Sequence, residues 1–180
     1  MEISINEINQ HNLQDTGKCD SSFTVDTLLV LSAENNNIQF NTLSTSPYKK
    51  KYPVEKIDYS LYLSRPERTV FLAYCDQSIA GEIRLRRNWN FYAYIEEIVV
   101  DVDFRKRGIG RKLIQTGIQW AKNKNLPGVM LESQNNNVPA CRLYQSCGFE
   151  LGGFDRYLYR GIDPSTQEIA LYWYILFKDG

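Results

Sequence analysis

The spacing of apolar and polar residues changes period several times along the chain, and each change marks an element. From Phe23 to Leu31 apolar and β-branched residues alternate, Asn35-Asn36-Asn37 offers a turn, and Ile38-Gln39-Phe40 resumes, which predicts a hairpin. Ser46 to Arg68 carries Pro47, Pro53 and Pro66 among many Tyr and Lys, and reads as a loop with one short helix. A loop of that length is a candidate for function. Three strand-like runs follow: Thr69 to Cys75, Ile79 to Arg87 and Tyr92 to Val100, joined by Asp76-Gln77-Ser78 and Asn88-Trp89-Asn90, which is a β-meander. The period then becomes helical. Leu113, Ile114, Gly117, Ile118 and Ala121 predict an amphipathic helix over Gly108 to Asn123, broken by Leu126-Pro127-Gly128. Val129-Met130-Leu131 is a short buried strand. A second helix has Asn137 as N-cap, Pro139 in the first turn, a stripe of Ala140, Leu143, Tyr144 and Cys147, and a Gly148-Phe149 stop of the Schellman type. Phe154 to Tyr159 and Glu168 to Phe177 predict the last strands. The sum is a mixed sheet with two main helices, an α+β chain of one domain over residues 1–180.

Composition narrows the partners. The 180 residues suit one domain, and 43% hydrophobic residues suffice for one sizeable core. The 21 basic and 21 acidic residues cancel, so no global field favours nucleic acid or an anionic membrane. Met1 to Ile5 lacks the basic and apolar regions of a signal peptide. The longest apolar run, Ile169 to Phe177, is too short to span a bilayer. Cys19, Cys75, Cys141 and Cys147 form no CxxC pair and have no His nearby, which argues against a metal and for free thiols in a reducing cytoplasm. The lone histidine, His11, lies in a polar stretch, so histidine-based catalysis is excluded.

One local cluster stands out of this neutral background. After Ile98-Val99-Val100 comes Arg105-Lys106-Arg107-Gly108-Ile109-Gly110, followed by Arg111 at the start of a helix. Glycines let backbone N–H groups approach an anion, the helix N-terminus adds partial positive charge, and Arg105, Lys106, Arg107 and Arg111 supply mobile cations. The plain alternative is a tight loop with solvated arginines. The segment lacks the Gly-Lys-Ser/Thr ending of a P-loop and the G-x-G-x-x-G of a dinucleotide fold.

Arg105-x-x-Gly108-x-Gly110 after Ile98-Val99-Val100 resembles the acyl-CoA signature of the GCN5-related N-acetyltransferase superfamily. Asn137-x-x-Ala140-x-x-Leu143-Tyr144-x-x-x-Gly148-Phe149 is similar to its later motif, in the expected order. The likeness spans about residues 69–160, the acetyl-CoA-binding core, with residues 1–45 as a variable part. It implies a mixed, mostly antiparallel central sheet flanked by helices, acetyl-CoA as cofactor and no metal. It also implies that Ile98, Val99 and Val100 pair with the pantetheine arm, that Arg105 to Arg111 take the pyrophosphate, that Asn137 holds the pantetheine, and that Tyr144 protonates the thiolate. Further runs resemble streptothricin acetyltransferases: Ser46-Pro47-Tyr48-Lys49-Lys50-Lys51-Tyr52, Asn88-Trp89-Asn90 with Tyr94-Ile95-Glu96, Leu131-Glu132-Ser133-Gln134 with Asn136-Asn137 and Ala140-Cys141, and Ala170-Leu171-Tyr172-Trp173-Tyr174. They imply acetylation of the β-lysine portion of that antibiotic; as to assembly, a monomer and a homodimer both stay open.

The chemistry needs a neutral amine. A lysine-like amine, with a pKa of about 10.4, is neutral near pH 7 in only about one molecule in a few thousand, so a carboxylate base acting through water is expected. Glu96, Glu97 and Glu132 are the candidates. Strict alternation puts Glu96 on the face of Ile98 and Val100 and Glu97 on the other, so only one of the pair can meet substrate. The resemblance favours Glu96, with Glu132 second. Direct attack is expected, because no cysteine shows an activating partner. A polycationic acceptor should meet carboxylates and aromatic faces, for which Glu96, Glu97, Glu132 and Asp155 with Trp89, Asn90, Tyr92, Tyr172 and Trp173 are candidates. Lys49 to Lys51 suit a solvated loop or the cofactor's 3′-phosphate. A polyamine or protein amino group as acceptor stays open, as does a non-catalytic acyl-CoA sensor.

Overall fold

The computed structural model describes residues 2–35, 37–53 and 56–178. In chain order its elements are β1 (Ile3–Glu7), β2 (Phe23–Glu34), β3 (Asn37–Lys50), α1 (Ser60–Ser64), β4 (Arg68–Cys75), β5 (Ser78–Arg87), β6 (Ala93–Val100), α2 (Ile109–Asn123), β7 (Gly128–Gln134), α3 (Val138–Ser146), β8 (Glu150–Asp155) and β9 (Ala170–Leu176). They gather into two compact units. The described residues up to Ser22, from Lys51 to Val129 and from Leu176 on form the first; Phe23–Lys50 and Met130–Ile175 form the second. Strands and helices are interspersed as the α+β reading expects.

In the first unit four antiparallel strands run in the order β1-β4-β5-β6. The last three are the expected meander. β1 was not legible as a strand: only Ile3 and Ile5 of its five residues are half-buried, too short a pattern to stand out. One sheet face carries α2, whose Leu113, Ile114, Gly117 and Ala121 are buried as the helical stripe requires. The fit is close: a Cβ on Gly117 would lie 3.2 Å from Leu85 Cδ2 and 3.3 Å from Ile83 Cδ1. The other face carries a cluster of Ile8, Tyr62, Val70 and Leu72. Each fully buried Leu or Ile here contributes about 1.5–3 kcal/mol.

In the second unit β7, β9 and β8 lie in that order, and β2 and β3 form the expected hairpin. Its turn includes Asn35 at φ +50°, while Asn36 lies outside the described residues. The expected loop from Ser46 is corrected, because β3 continues to Lys50. Pro47 is tolerated opposite a register shift between Val25 and Thr27, where the ladder asks no N–H of it. The short helix expected in this stretch is α1. Asn135 pins the hairpin: its Nδ2 donates to Leu29 O (3.1 Å), and its own O accepts from Leu29 N (2.9 Å).

The caps of α3 are as read. Asn137 Oδ1 accepts from Ala140 N, and Gly148 at φ +93° closes the helix with Phe149 N donating to Tyr144 O (3.1 Å). The stripe is rotated slightly, with Val138, Cys141 and Tyr144 deepest. The strand expected over Phe154 to Tyr159 is corrected more deeply. β8 ends at Asp155, whose Oδ1 accepts from Tyr157 N (2.7 Å) and Leu158 N (3.2 Å), and this bends the chain into a 3₁₀ turn over Leu158–Gly161.

Candidate active site

In the first unit the alternation of β5 separates two chemistries. Ile83 and Leu85 point at α2, so Glu82, Arg84 and Arg86 occupy the opposite face. β6 pairs Glu97 with Arg84 and Ile95 with Leu85, which leaves Glu96 as an extra residue in a β-bulge. The bulge overturns the expectation that Glu96 and Glu97 face opposite sides. Glu96 Oε1 accepts from Arg86 Nε (2.9 Å) and its Oε2 from the Tyr62 hydroxyl (2.5 Å). Glu97 Oε2 accepts from Arg84 Nη1 (2.9 Å), and Arg84 Nε lies 3.7 Å from Glu96 Oε2. Both carboxylates thus meet the same arginine row. Glu82 was missed. It is buried, takes hydrogen bonds from the Tyr59 hydroxyl (2.8 Å) and Gly17 N (2.9 Å), and burial pushes its carboxyl up against the effect of those donors. The signal was present in the period-2 charges at 82, 84 and 86, which read as a solvent face until Tyr59 and Tyr62 cover them.

β6 ends in Ile98, Val99 and Val100, opposite Ile83, Glu82 and Gly81. Asp101 then caps a 3₁₀ turn over Val102–Phe104. Arg105 Nε donates to Val100 O (3.0 Å) and its Nη2 to Asp20 O (3.4 Å). Arg107 Nη2 donates to Asp103 O (3.1 Å), and its guanidinium lies over Phe104. Two of the four expected mobile cations are therefore committed to shaping the turn. What faces an anion is mainly backbone. Lys106 (φ +61°) and Gly108 (φ +80°) are left-handed, and the first helical bond runs from Lys112 N to Gly108 O, which leaves the amides of Ile109, Gly110 and Arg111 in the first turn. A Cβ on Gly108 would meet nothing within 4 Å, so glycine is needed there for its backbone angle. Ile109 and Gly110 are buried. A glycine turn opening a helix in this way is the kind of backbone that suits an anionic group.

Trp89 and Asn90 form the β5–β6 turn, closed by Asn88 N donating to Tyr92 O (2.9 Å). Trp89 is 86% exposed and shares a shallow cavity with Arg65, Arg68 and Arg87, against one carboxylate, Glu67. Around Trp89, expected to meet a polycation, the lining thus holds three guanidiniums and one carboxylate. Tyr92, beside that turn, is half-buried.

In the second unit Glu132 on β7 is half-buried, and burial pushes its carboxyl up. Tyr159 donates its hydroxyl to Glu132 Oε1, opposing that shift, and Gln134 Nε2 donates to the same hydroxyl (2.9 Å). Tyr144 is buried against Phe149 and Trp173, with ring centroids 6.0 and 6.1 Å away. Burial, then the nearby Cys141 and Glu132, push the pKa of its phenol up. Trp173 is wholly buried, with Nε1 donating to Ser133 Oγ (2.9 Å). Expected at the substrate rim, it instead lies packed in the core beside Tyr144. Asp155 is likewise engaged, in the turn it caps. Tyr172 is half-buried, and its phenol is pushed up by burial and then by Glu132 and Asp155.

The remaining candidates are quickly placed. Lys50 pairs with Glu168 and Lys51 with Asp20, so this run is not a free basic loop. The four cysteines are free thiols; burial pushes Cys19 up to about 12, with Asp101 and Glu82 adding to it, and Cys141 up to about 11. His11 is exposed. Among the described residues no helix is long and apolar enough to cross a membrane, and no three His, Cys, Asp or Glu side chains cluster as metal ligands.

Residues 36–149 match the model of the acetyltransferase (GNAT) family. The chain is 36% identical to streptothricin acetyltransferase A of Bacillus subtilis (strain 168), over 92% of this chain and 95% of that protein. It is 36% identical to a streptothricin acetyltransferase of Escherichia coli, over 89% and 88%. Among solved structures it is similar to a candidate streptothricin acetyltransferase of Bacillus anthracis str. Ames in complex with acetyl coenzyme A, at a TM-score of 0.91 and 40% identity over 99% of both chains.

Proposed function

We infer that this chain, which belongs to the acetyltransferase (GNAT) family, moves the acetyl group of acetyl-CoA onto an amino group of the β-lysine portion of streptothricin and so inactivates the antibiotic. The observation that carries the acceptor is the reach of the likeness. It extends over about nine-tenths of both chains, well beyond the residues 36–149 shared with the family at large. Four free thiols suit a cytoplasmic enzyme.

Bound acetyl-CoA supplies an acetyl group activated as a thioester. The backbone amides from Lys106 to Arg111 would hold its pyrophosphate, and Ile98 to Val100 would line the pantetheine. Glu132 takes the proton of the attacking amine. One of its oxygens is held by Tyr159, Oε2 is not, and burial brings its proton affinity towards working pH. Glu96 has both oxygens engaged by Arg86 and Tyr62, so it suits anchoring an ammonium group better than accepting a proton. That reverses the order in which the two were expected. Glu97, the more exposed neighbour, serves the same anchoring. Tyr144, packed beside Phe149 and Trp173 with its phenol pushed up by burial, holds a proton for the departing sulfur. Cys19 and Cys141 stay protonated, in line with direct attack and no acetyl-cysteine.

Purified protein with acetyl-CoA and a thiol reagent tests the reading against streptothricin, spermidine and a peptide. CoA release with streptothricin supports it. Release only with spermidine or peptide overturns the acceptor, and CoA binding without release for any amine points to a sensor.

A further inference from the structure

The turn after β8 is arranged around Tyr159. Asp155 ends β8 and caps the following turn, and Ile162 N (3.0 Å) and Asp163 N (2.9 Å) both close on Tyr159 O. The neighbours Tyr157, Leu158 and Ile162 are exposed, so this turn does not exist to bury apolar surface. Tyr159 is the side chain that it sends inward. There the phenol accepts a hydrogen bond from Gln134 Nε2 and donates its own proton to Glu132 Oε1. Gln134 and Glu132 are two apart on β7 and share a face, so one strand supplies both the group that orients the phenol and the group that receives it.

We propose that Tyr159 is a positioning residue for acetyl transfer: oriented by Gln134, it fixes the Glu132 carboxylate through Oε1 and leaves Oε2 to receive the amine proton. This rests on the reading of Glu132 as the base. The phenol does two things at once. It removes rotamer freedom from a half-buried glutamate within β7, and it offsets part of the burial that raises the Glu132 carboxyl. The other titratable groups bearing on Glu132 within this unit are the phenols of Tyr144 and Tyr172, with the Asp155 carboxylate next to Tyr172. The two phenols are neutral through the working range, so Tyr159 is the group whose removal changes Glu132 by loss of a donor.

The test is the pH profile of kcat/KM for the acceptor in Tyr159→Phe, Gln134→Leu and Glu132→Gln. A base works deprotonated, and losing its donor raises its pKa. In Tyr159→Phe the acidic limb therefore moves to higher pH, by about one unit. Activity falls about ten-fold below the limb and recovers towards the parent value above it, with KM for acetyl-CoA unchanged. Gln134→Leu, which keeps the phenol, moves the limb the same way by less, and it carries the test should Tyr159→Phe fold poorly. An unmoved limb in both variants, or an equal loss at every pH, overturns the positioning role while an inactive Glu132→Gln leaves the base assignment standing. A Glu132→Gln enzyme as active as the parent overturns both.

Discussion

A buried or half-buried tyrosine usually finds a partner for its hydroxyl. Tyr59 and Tyr62 do so on Glu82 and Glu96, and Tyr159 does so on Glu132. Tyr144 is placed by ring packing beside Phe149 and Trp173, and this has a measurable consequence. Tyr144→Phe keeps the ring, so its thermal midpoint should stay within a few degrees of the parent, since a buried hydroxyl contributes only about 1 kcal/mol. Turnover should fall about 10²-fold or more, the usual loss of a general acid, with KM for acetyl-CoA nearly constant. Unchanged turnover removes Tyr144 from the acid role. Trp173→Phe should behave in the opposite way. It loses the Nε1 bond to Ser133 and part of the packing against Tyr144, so stability should drop by about 1–3 kcal/mol in a denaturant titration. A Trp173 that contacted substrate would instead change the acceptor KM with stability intact.

At the level of elements, what was legible in the sequence is what local chemistry decides. α2, α3 and the meander could be read because their period and caps are set by residues adjacent in the chain. The bulge at Glu96 could not, because it is a mismatch between β5 and β6 that neither strand carries alone. The turn after Asp155 was missed for a different reason. Phe154, Tyr157 and Tyr159 favour a strand, and one carboxylate capping two amides overrides them. The glycine turn before α2 lies between these cases: its place in the chain was legible, but the use of Arg105 and Arg107 as struts was not. Since backbone geometry carries that turn, Gly108 is the element's sensitive point. Gly108→Ala meets no clash but must hold a left-handed angle, at a cost of about 1 kcal/mol. KM for acetyl-CoA should rise roughly five-fold, and Gly108→Asn, which tolerates that region better, should raise it less. Equal values for alanine, asparagine and glycine would mean that the turn reshapes freely and that its geometry does not set affinity.

Over the whole molecule the charges cancel, and the consequence is internal rather than external. Several of the acidic residues are folded in, Glu82 most completely of all. A carboxyl whose folded pKa lies above its unfolded value binds its proton more tightly in the folded state. Its stabilising contribution is then complete below the unfolded value and is lost as pH rises through the folded one. Glu82 is such a group, raised by burial from the ordinary 4.5 despite its bonds from Gly17 and Tyr59. Glu82→Gln cannot titrate, and its side-chain oxygen can still accept from Gly17 N. Thermal melts of parent and variant between about pH 4 and 8 should therefore diverge in a set direction, with the parent losing stability relative to Glu82→Gln as pH rises from 4.5 upward. Groups shifted the other way, such as Asp15, Asp20 and Asp163, strengthen the fold with rising pH, but they are common to both proteins and cancel in the difference. A pH-independent gap between the two melting curves would mean that Glu82 has the same proton affinity folded and unfolded. Its two donors would then fully compensate its burial, and the carboxylate row behind Tyr59 and Tyr62 would carry no electrostatic cost for the fold to bear.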